Sequence, residues 1–264
     1  MSPRGRLFRK YVVLFVGLVT GALVTSGLVE IYFSYQENKT ALVRIQREKA
    51  EAAASKIEQF IKEIESQIGW TTHSSFVPRA AALDQRRFDY LRLLRQAPSI
   101  TEVSHLDATG KEMLRVSRLA MDVAASGADL SAEPKFVEAK AGRTYFSPVY
   151  FRKESEPYLT MAIAGAGRSA GVTVAEVNLK FIWDLISRIQ VGKAGVAYVV
   201  DERGLLIAHP DIGTVLRKTD LSRMSNVAAA LGRQRDPSVQ VPATVQDRSG
   251  REVLTAWAPI GALG

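Results

Sequence analysis

Three hydrophobic patterns succeed one another along the chain, and each predicts a different kind of element. Residues 11–29, YVVLFVGLVTGALVTSGLV, form an uncharged apolar run. At a rise of 1.5 Å per residue, about 19 residues nearly span a ~30 Å hydrocarbon layer, and a helix satisfies its own backbone there. Residues 34–69 are free of proline and rich in alanine and charge, with Ile57, Phe60, Ile61, Ile64 and Ile68 at helical spacing. That stretch predicts a stalk helix rising roughly 50 Å, too long to bury its apolar stripe alone. A second helix is expected over 84–96, ending before Pro98.

The period then changes from helical to alternating. Residues 100–107 and 111–117 read as a hairpin turning at Thr109-Gly110, and further strands are expected over 144–151, 158–164 and 171–179, closed by a helix over 180–189. A strand, an Asp-x-x-Gly turn and a returning strand occur twice, in VSHLDATGKEMLRVS and in YVVDERGLLIAHP. Duplication of one unit is the economical reading. The second copy continues through residues 244–260, with DRSG at 247–250 as its turn. The expected architecture is α+β: an N-terminal transmembrane helix continuing into a long stalk helix, then two tandem PAS-like antiparallel-sheet modules.

Charge adds an orientation. The chain of 264 residues has a formal net charge of +8, and Arg4, Arg6, Arg9 and Lys10 place four of those charges before the apolar run. Glu30 and Glu37 follow it. The positive-inside tendency puts the N-terminus in the cytoplasm and the remainder outside. The apolar run exceeds the usual core of a cleavable signal peptide, and no A-x-A site follows, which favours an uncleaved anchor. Gly17 and Gly21 form a G-x-x-x-G pair of the kind that lets membrane helices approach. Because the basic surplus sits at one end, nucleic acid is not an expected partner. The absence of cysteine excludes disulfides and thiolate zinc sites, and His73, His105 and His209 lie far apart without metal-ligand spacing. No metal and no cofactor is expected.

In the segments TEVSHLDATGKEMLRVSR, YFSPVYFRKESEPYLTMAIAG, GVTVAEVNLKFIWDLI and VGKAGVAYVVDERGLLIAHPD, the chain resembles the double Cache family of bacterial extracytoplasmic sensor domains. The resemblance implies a stalk helix over 34–75, a membrane-distal module over 76–190 that binds a ligand, and a membrane-proximal module over 191–264, C-terminally incomplete, that relays the change. It further implies a receptor of the histidine kinase, cyclase or chemoreceptor type, anchored in the bacterial inner membrane, with its sensor in the periplasm and a parallel homodimer as its working form. One departure stands out. Amino-acid-binding members carry an Arg-x-Trp-Tyr element where this chain has Glu133, Lys135 and Phe136 in AEPKFVEA.

Polar residues on the distal strands are the candidate ligand contacts. Arg115 and Ser117 share a strand face, Tyr145 and Tyr150 flank the third strand, and Tyr158 opens the fourth. Glu176 interrupts the apolar strand VTVAEVNL, where a buried carboxylate needs a partner, and the resemblance places it at the base of the pocket. A guanidinium with tyrosines fits a small organic anion or zwitterion. Two catalytic patterns overlap in GAGRSAG at 165–171, G-x-S-x-G around Ser169 and G-x-G-x-x-A. Both chemistries need a strand running into a helix, whereas these glycines join two expected strands. A binding module rather than an enzyme is therefore expected, with a membrane-tethered hydrolase using Ser169, or a ligand-free dimerisation ectodomain, as the alternatives.

Overall fold

The computed structural model describes residues 3–73, 82–152, 156–167, 170–192, 195–236, 238–239, 241–246 and 250–261. The apolar run and the stalk form one unbroken helix, α1 (Pro3–His73). Its N-terminal part, exposed throughout residues 11–26, is long and apolar enough to cross a membrane. After α2 (Ala82–Gln96) come β1 (Ile100–Leu106), β2 (Glu112–Ser117), β3 (Val123–Ala124), α3 (Pro134–Lys140), β4 (Tyr145–Phe146), β5 (Tyr150–Arg152), β6 (Glu156–Ala164), β7 (Val172–Asn178) and α4 (Lys180–Ser187). The rest comprises β8 (Val199–Val200), β9 (Leu206–Ala208), α5 (Ile212–Leu216), α6 (Ser225–Arg235), β10 (Thr244–Gln246) and β11 (Glu252–Leu254).

The first seven strands make one antiparallel sheet in the order β3-β2-β1-β7-β6-β4, with β5 also on β6. Its two faces differ because side chains alternate along each strand. Val103, Leu114, Val116, Leu159, Met161, Ala175 and Val177 form the dry face, packed against Ile57, Ile61, Ile64 and Ile68 of α1 and Tyr90, Leu93 and Leu94 of α2. The stalk stripe is thus core of the sheet domain, each isoleucine contributing about 1.5–3 kcal/mol by leaving water. Phe60, beside the stripe, stacks on Phe181 of α4 with ring centroids 4.5 Å apart.

The single strand expected over 144–151 is two short strands. Between them, Pro148 has no N–H to give a ladder, and Ser147 substitutes its side chain: its hydroxyl accepts from the Thr160 N–H at 2.8 Å. Beyond α4 the strands are shorter than the alternation implies and form two separate pairs, β8-β9 and β10-β11. In the first sheet β7 joins β1 to β6; among the described residues no strand holds that place between β8 and β11. Residues 247–249 of the DRSG turn lie outside the described residues.

The duplication is nonetheless explicit in the hydrogen bonds. The Asp107 carboxylate accepts from the N–H groups of Thr109 and Lys111, and the Asp201 carboxylate accepts from Arg203 and Leu205. Gly110 and Gly204 close the turns at φ +88° and +86°. Their carbonyls accept from Leu130 and Leu221, each at 2.9 Å. Those leucines belong to a second shared signature, Asp129-Leu130-Ser131 and Asp220-Leu221-Ser222, from which α3 and α6 start. Each turn glycine lies under the serine of its signature.

A Cβ on Gly110 would stand 2.5 Å from Ser131 Cα, whereas one on Gly127 (φ +67°) meets nothing within 4 Å. Both substitutions impose a left-handed conformation on alanine, and only the first adds a clash with backbone. Urea denaturation of Gly110→Ala should show a loss of about 2 kcal/mol or more, with Gly127→Ala losing about 1 kcal/mol. Equal losses would mean that the turn does not press against Ser131.

Candidate ligand pocket

The second face of the first sheet is polar where the dry face is apolar. Register places Glu102 opposite both Ser117 on β2 and Glu176 on β7, Ser104 opposite Arg115 and Val174, and Thr160 of β6 opposite Glu176. A slip in pairing between His105 and Leu106 brings Glu112 onto the same surface. Towards one end this floor turns apolar with Leu106, Ala162, Val172 and Val174, on which Phe136 and Ala139 of α3 pack. Leu130 and Lys135, from the loop and helix that the Asp-Leu-Ser signature anchors, cover the rest. Between floor and cover lies a cavity of about 180 Å³, bounded by Glu102, Ser104, Glu112, Arg115, Lys135 and Glu176, with Leu106, Leu130 and Val174 as its apolar sides.

Three carboxylates enter this cavity in different states. Glu112, 2% exposed, is held by the Arg115 fork, Nε to Oε1 at 2.8 Å and Nη2 to Oε2 at 2.7 Å, and by the Ser126 hydroxyl at 2.5 Å. Burial pushes its carboxyl up, and the hydrogen bonds from Arg115 and Ser126 outweigh that and hold it below the usual range. The same hydrogen bonding raises the Arg115 guanidinium. Glu102 lies 3.4 Å from Arg152 Nη2 and 4.0 Å from Arg115 Nε. Glu176 receives hydroxyl donors instead: Tyr150 donates to Oε2, and Thr160 donates to Oε1 at 3.0 Å. Burial first, and repulsion from Glu102 second, push the Glu176 carboxyl up to about 7, with Lys135 and Arg115 pulling the other way.

The six residues singled out in the sequence separate accordingly. Arg115 and Glu176 line the cavity, and Tyr150 reaches it through Glu176. Arg115 is not an open anion receptor, because the chain's own Glu112 occupies its fork. Tyr158 does not line the cavity; it is 4% exposed, with its ring 6.2 Å from Tyr150 and its hydroxyl accepting from Asn178. Ser117 does not line the cavity; its hydroxyl accepts from the Leu119 N–H at 3.1 Å. Tyr145 packs on the apolar cluster around Leu106 and Phe136. Four polar cavity residues were missed, Glu102, Ser104, Glu112 and Lys135, along with the apolar Leu106, Leu130 and Val174. Glu102 and Ser104 follow from pairing β1 with β7 in register, and Lys135 stands in the stretch set aside as a departure from the amino-acid motif. Glu112 has no such signal, since its position depends on the slipped pairing.

Ser169 and Arg168 lie outside the described residues. Around them the Gly165 N–H donates to the Gly171 carbonyl at 2.9 Å, so the segment closes a hairpin from β6 to β7 and no helix follows. Asp211, near His209, caps α5 by accepting from the Gly213 N–H at 3.0 Å.

Comparison with known proteins yields a consistent match. The Cache domain profile matches residues 34–264. The extracellular domain of mmHK1S-Z2, assigned as a histidine kinase, superposes with a TM-score of 0.64 at 15% identity, covering 88% of this chain and 94% of that one. The ligand-binding domain of the Pseudomonas aeruginosa amino acid chemoreceptor PctC, in complex with GABA, gives 0.56 at 19% identity, covering 84% and 93%. That of the Campylobacter jejuni chemoreceptor Tlp3, with L-norvaline, gives 0.51 at 16%, covering 73% and 76%. No curated protein sequence matches the chain.

The elevated Glu176 carboxyl has a consequence for stability. A carboxyl whose folded midpoint, about 7, exceeds its ordinary 4.5 leaves the folded state binding more protons between those values. Stability therefore falls as pH rises from about 4.5 to 7. Glu176→Gln should be more stable than the parent at pH 8, with the gap closing as pH falls towards 4.5 in urea titrations. A gap that does not change with pH would show that Glu176 is not desolvated.

Proposed function

The chain belongs to the Cache domain family, and from that premise we propose that it is the sensing part of a membrane-anchored receptor, reading a small ammonium-bearing molecule at Glu176. In this reading the apolar part of α1 is the anchor. The basic N-terminus lies in the cytoplasm, and the sheet domains stand in the periplasm of a bacterial inner membrane. Residues 76–190 bind the ligand, and residues 191–264 with the stalk pass on the change. Two copies in parallel, joined along stalks that expose Leu42 and Ile45, are the working form.

One observation carries the ligand class. Among the described residues no lysine or arginine forms an ion pair with Glu176, which is half-buried on hydroxyl donors beside a second carboxylate, Glu102. Arg115 is already neutralised by Glu112, so an arriving ammonium gains the Glu176 carboxylate without breaking an ion pair, beside a Glu102 that stays paired with Arg152 and Arg115. A carboxylate on the same ligand meets Lys135, which lines the cavity and already pairs with the more exposed Glu133 at 2.8 Å. Zwitterions fit this arrangement better than simple anions, for which Glu102 and Glu176 are repulsive. GABA in PctC and L-norvaline in Tlp3 are molecules of that class.

Calorimetric titration with GABA and L-norvaline, alongside the corresponding amines, tests the reading. At least one should bind, with affinity rising from pH 6 to pH 8 as Glu176 ionises, and Glu176→Gln should weaken it by about tenfold or more. If none of them binds, or if the variant binds as well as the parent, ammonium recognition at Glu176 is wrong.

A further inference from the structure

The duplicated signatures put residues of the second unit in the places that form the pocket of the first. Ser104 stands three residues before Asp107, and Tyr198 three before Asp201. Lys135 stands four residues after Ser131 of the first signature, and Asn226 four after Ser222 of the second. Leu206 takes the place of Glu112 two residues after the turn glycine, and it is fully buried. An apolar cluster of Leu206, Val215, Leu221 and Val227 answers the one at Leu106 and Phe136. Leu206 and Asn226 are neutral where Glu112 and Lys135 are charged, and the charges of this region, Lys49, Glu138, Arg143, Asp201 and Glu202, stand elsewhere on the wall of the cleft that Asn226 lines.

What remains there is a neutral polar pair. Asn226 Nδ2 donates to the Tyr198 hydroxyl oxygen at 2.9 Å, while Asn226 Oδ1 is buried without a partner. Tyr198 and Asn226 both line a cleft of about 810 Å³ whose other side is built from Ala50, Ala53 and Ile57 of the stalk and from Trp257. Burial raises the Tyr198 hydroxyl, which keeps its proton, and since its oxygen already accepts from Asn226 that proton is available to donate. An unused donor and an unpartnered acceptor therefore stand side by side in the wall of the cleft. Turning the amide over exchanges the two roles and leaves the same pair open.

We propose that the second unit holds a second ligand position, at Tyr198 and Asn226, for an uncharged molecule presenting an amide-like edge with donor and acceptor adjacent. Primary carboxamides, lactams and heterocycles with such an edge satisfy both groups, and Ile57, Val200, Leu231 and Trp257 in the cleft wall accommodate their hydrocarbon or ring. A charged amine or carboxylate finds no counter-ion in the pair and would leave one of its two groups unmatched. The first unit thus reads charge and the second reads a neutral hydrogen-bonding edge, with the stalk helix forming a wall of the second position.

The test uses benzamide, 2-pyridone and uracil as probes, with benzylamine and benzoate as charged controls, in calorimetric titrations of the full chain. At least one neutral probe should bind, both charged controls should bind at least tenfold more weakly, and Tyr198→Phe and Asn226→Leu should each weaken the neutral probe tenfold or more. Glu176→Gln should leave that binding within twofold, which separates this position from the one in the first unit. Circular dichroism reports whether each variant folds; should Asn226→Leu fail to, Asn226→Asp, which removes the amide donor and adds charge, takes its place with the same expected loss. Absence of binding by all three neutral probes, or binding unchanged in the folded variants, overturns the proposal.

Discussion

A single antiparallel sheet with one dry face governs the molecule. The isoleucines of the stalk and the apolar side of α2 seal that face so thoroughly that Ile61, Ile68, Val103 and Met161 are fully buried. The opposite face is then released from packing duty and carries Glu102, Ser104, Arg115, Thr160 and Glu176 in register. Alternation along four strands converts a hydrophobic seal on one side into a polar floor on the other. Because the seal is made by the same helix that runs towards the membrane, any change in the sheet is mechanically continuous with the anchor.

The floor works by unequal neutralisation. Glu112 and Arg115 satisfy each other in a two-point contact and define the edge of the cavity, whereas Glu176 is given neutral hydroxyls and a like-charged neighbour. A buried carboxylate left in that state is costly to the folded chain. In the proposed reading a cation from outside relieves that cost, and that differential is what a sensor requires, because a ligand shifts an equilibrium only by what it gains in one state over another. The second unit repeats the scaffold of Asp turn, glycine and Asp-Leu-Ser anchor while placing neutral Leu206 and Asn226 where the first has Glu112 and Lys135.

Much of this was legible in the chain. Spacing alone identified the stalk stripe, since Ile57, Ile61, Ile64 and Ile68 fit only a helix, and the polar interruption in VTVAEVNL exposed Glu176. The Asp-x-x-Gly turns revealed the duplication. Contacts that depend on pairing between distant strands were not legible: Glu102 meets Glu176 only through β1-β7 register, and Glu112 joins the floor only because the pairing slips beside Leu106. Arg115 misled for the same reason, its internal partner being invisible until Glu112 was placed. The Asp-Leu-Ser signatures were present in the sequence but lie at unequal distances from their turns, which hides them from a search for a fixed period.

The account turns on Glu176 being a desolvated carboxylate that an incoming ammonium neutralises. Carbon-13 NMR titration of the Glu176 side-chain carboxyl, with the protein free and then saturated with a bound zwitterion, measures this directly. The free protein should titrate near 7, and the bound protein about 1–3 pH units lower, because an opposite charge within contact distance favours the ionised form. A free midpoint near 4.5, or one that ligand leaves where it was, would contradict the account.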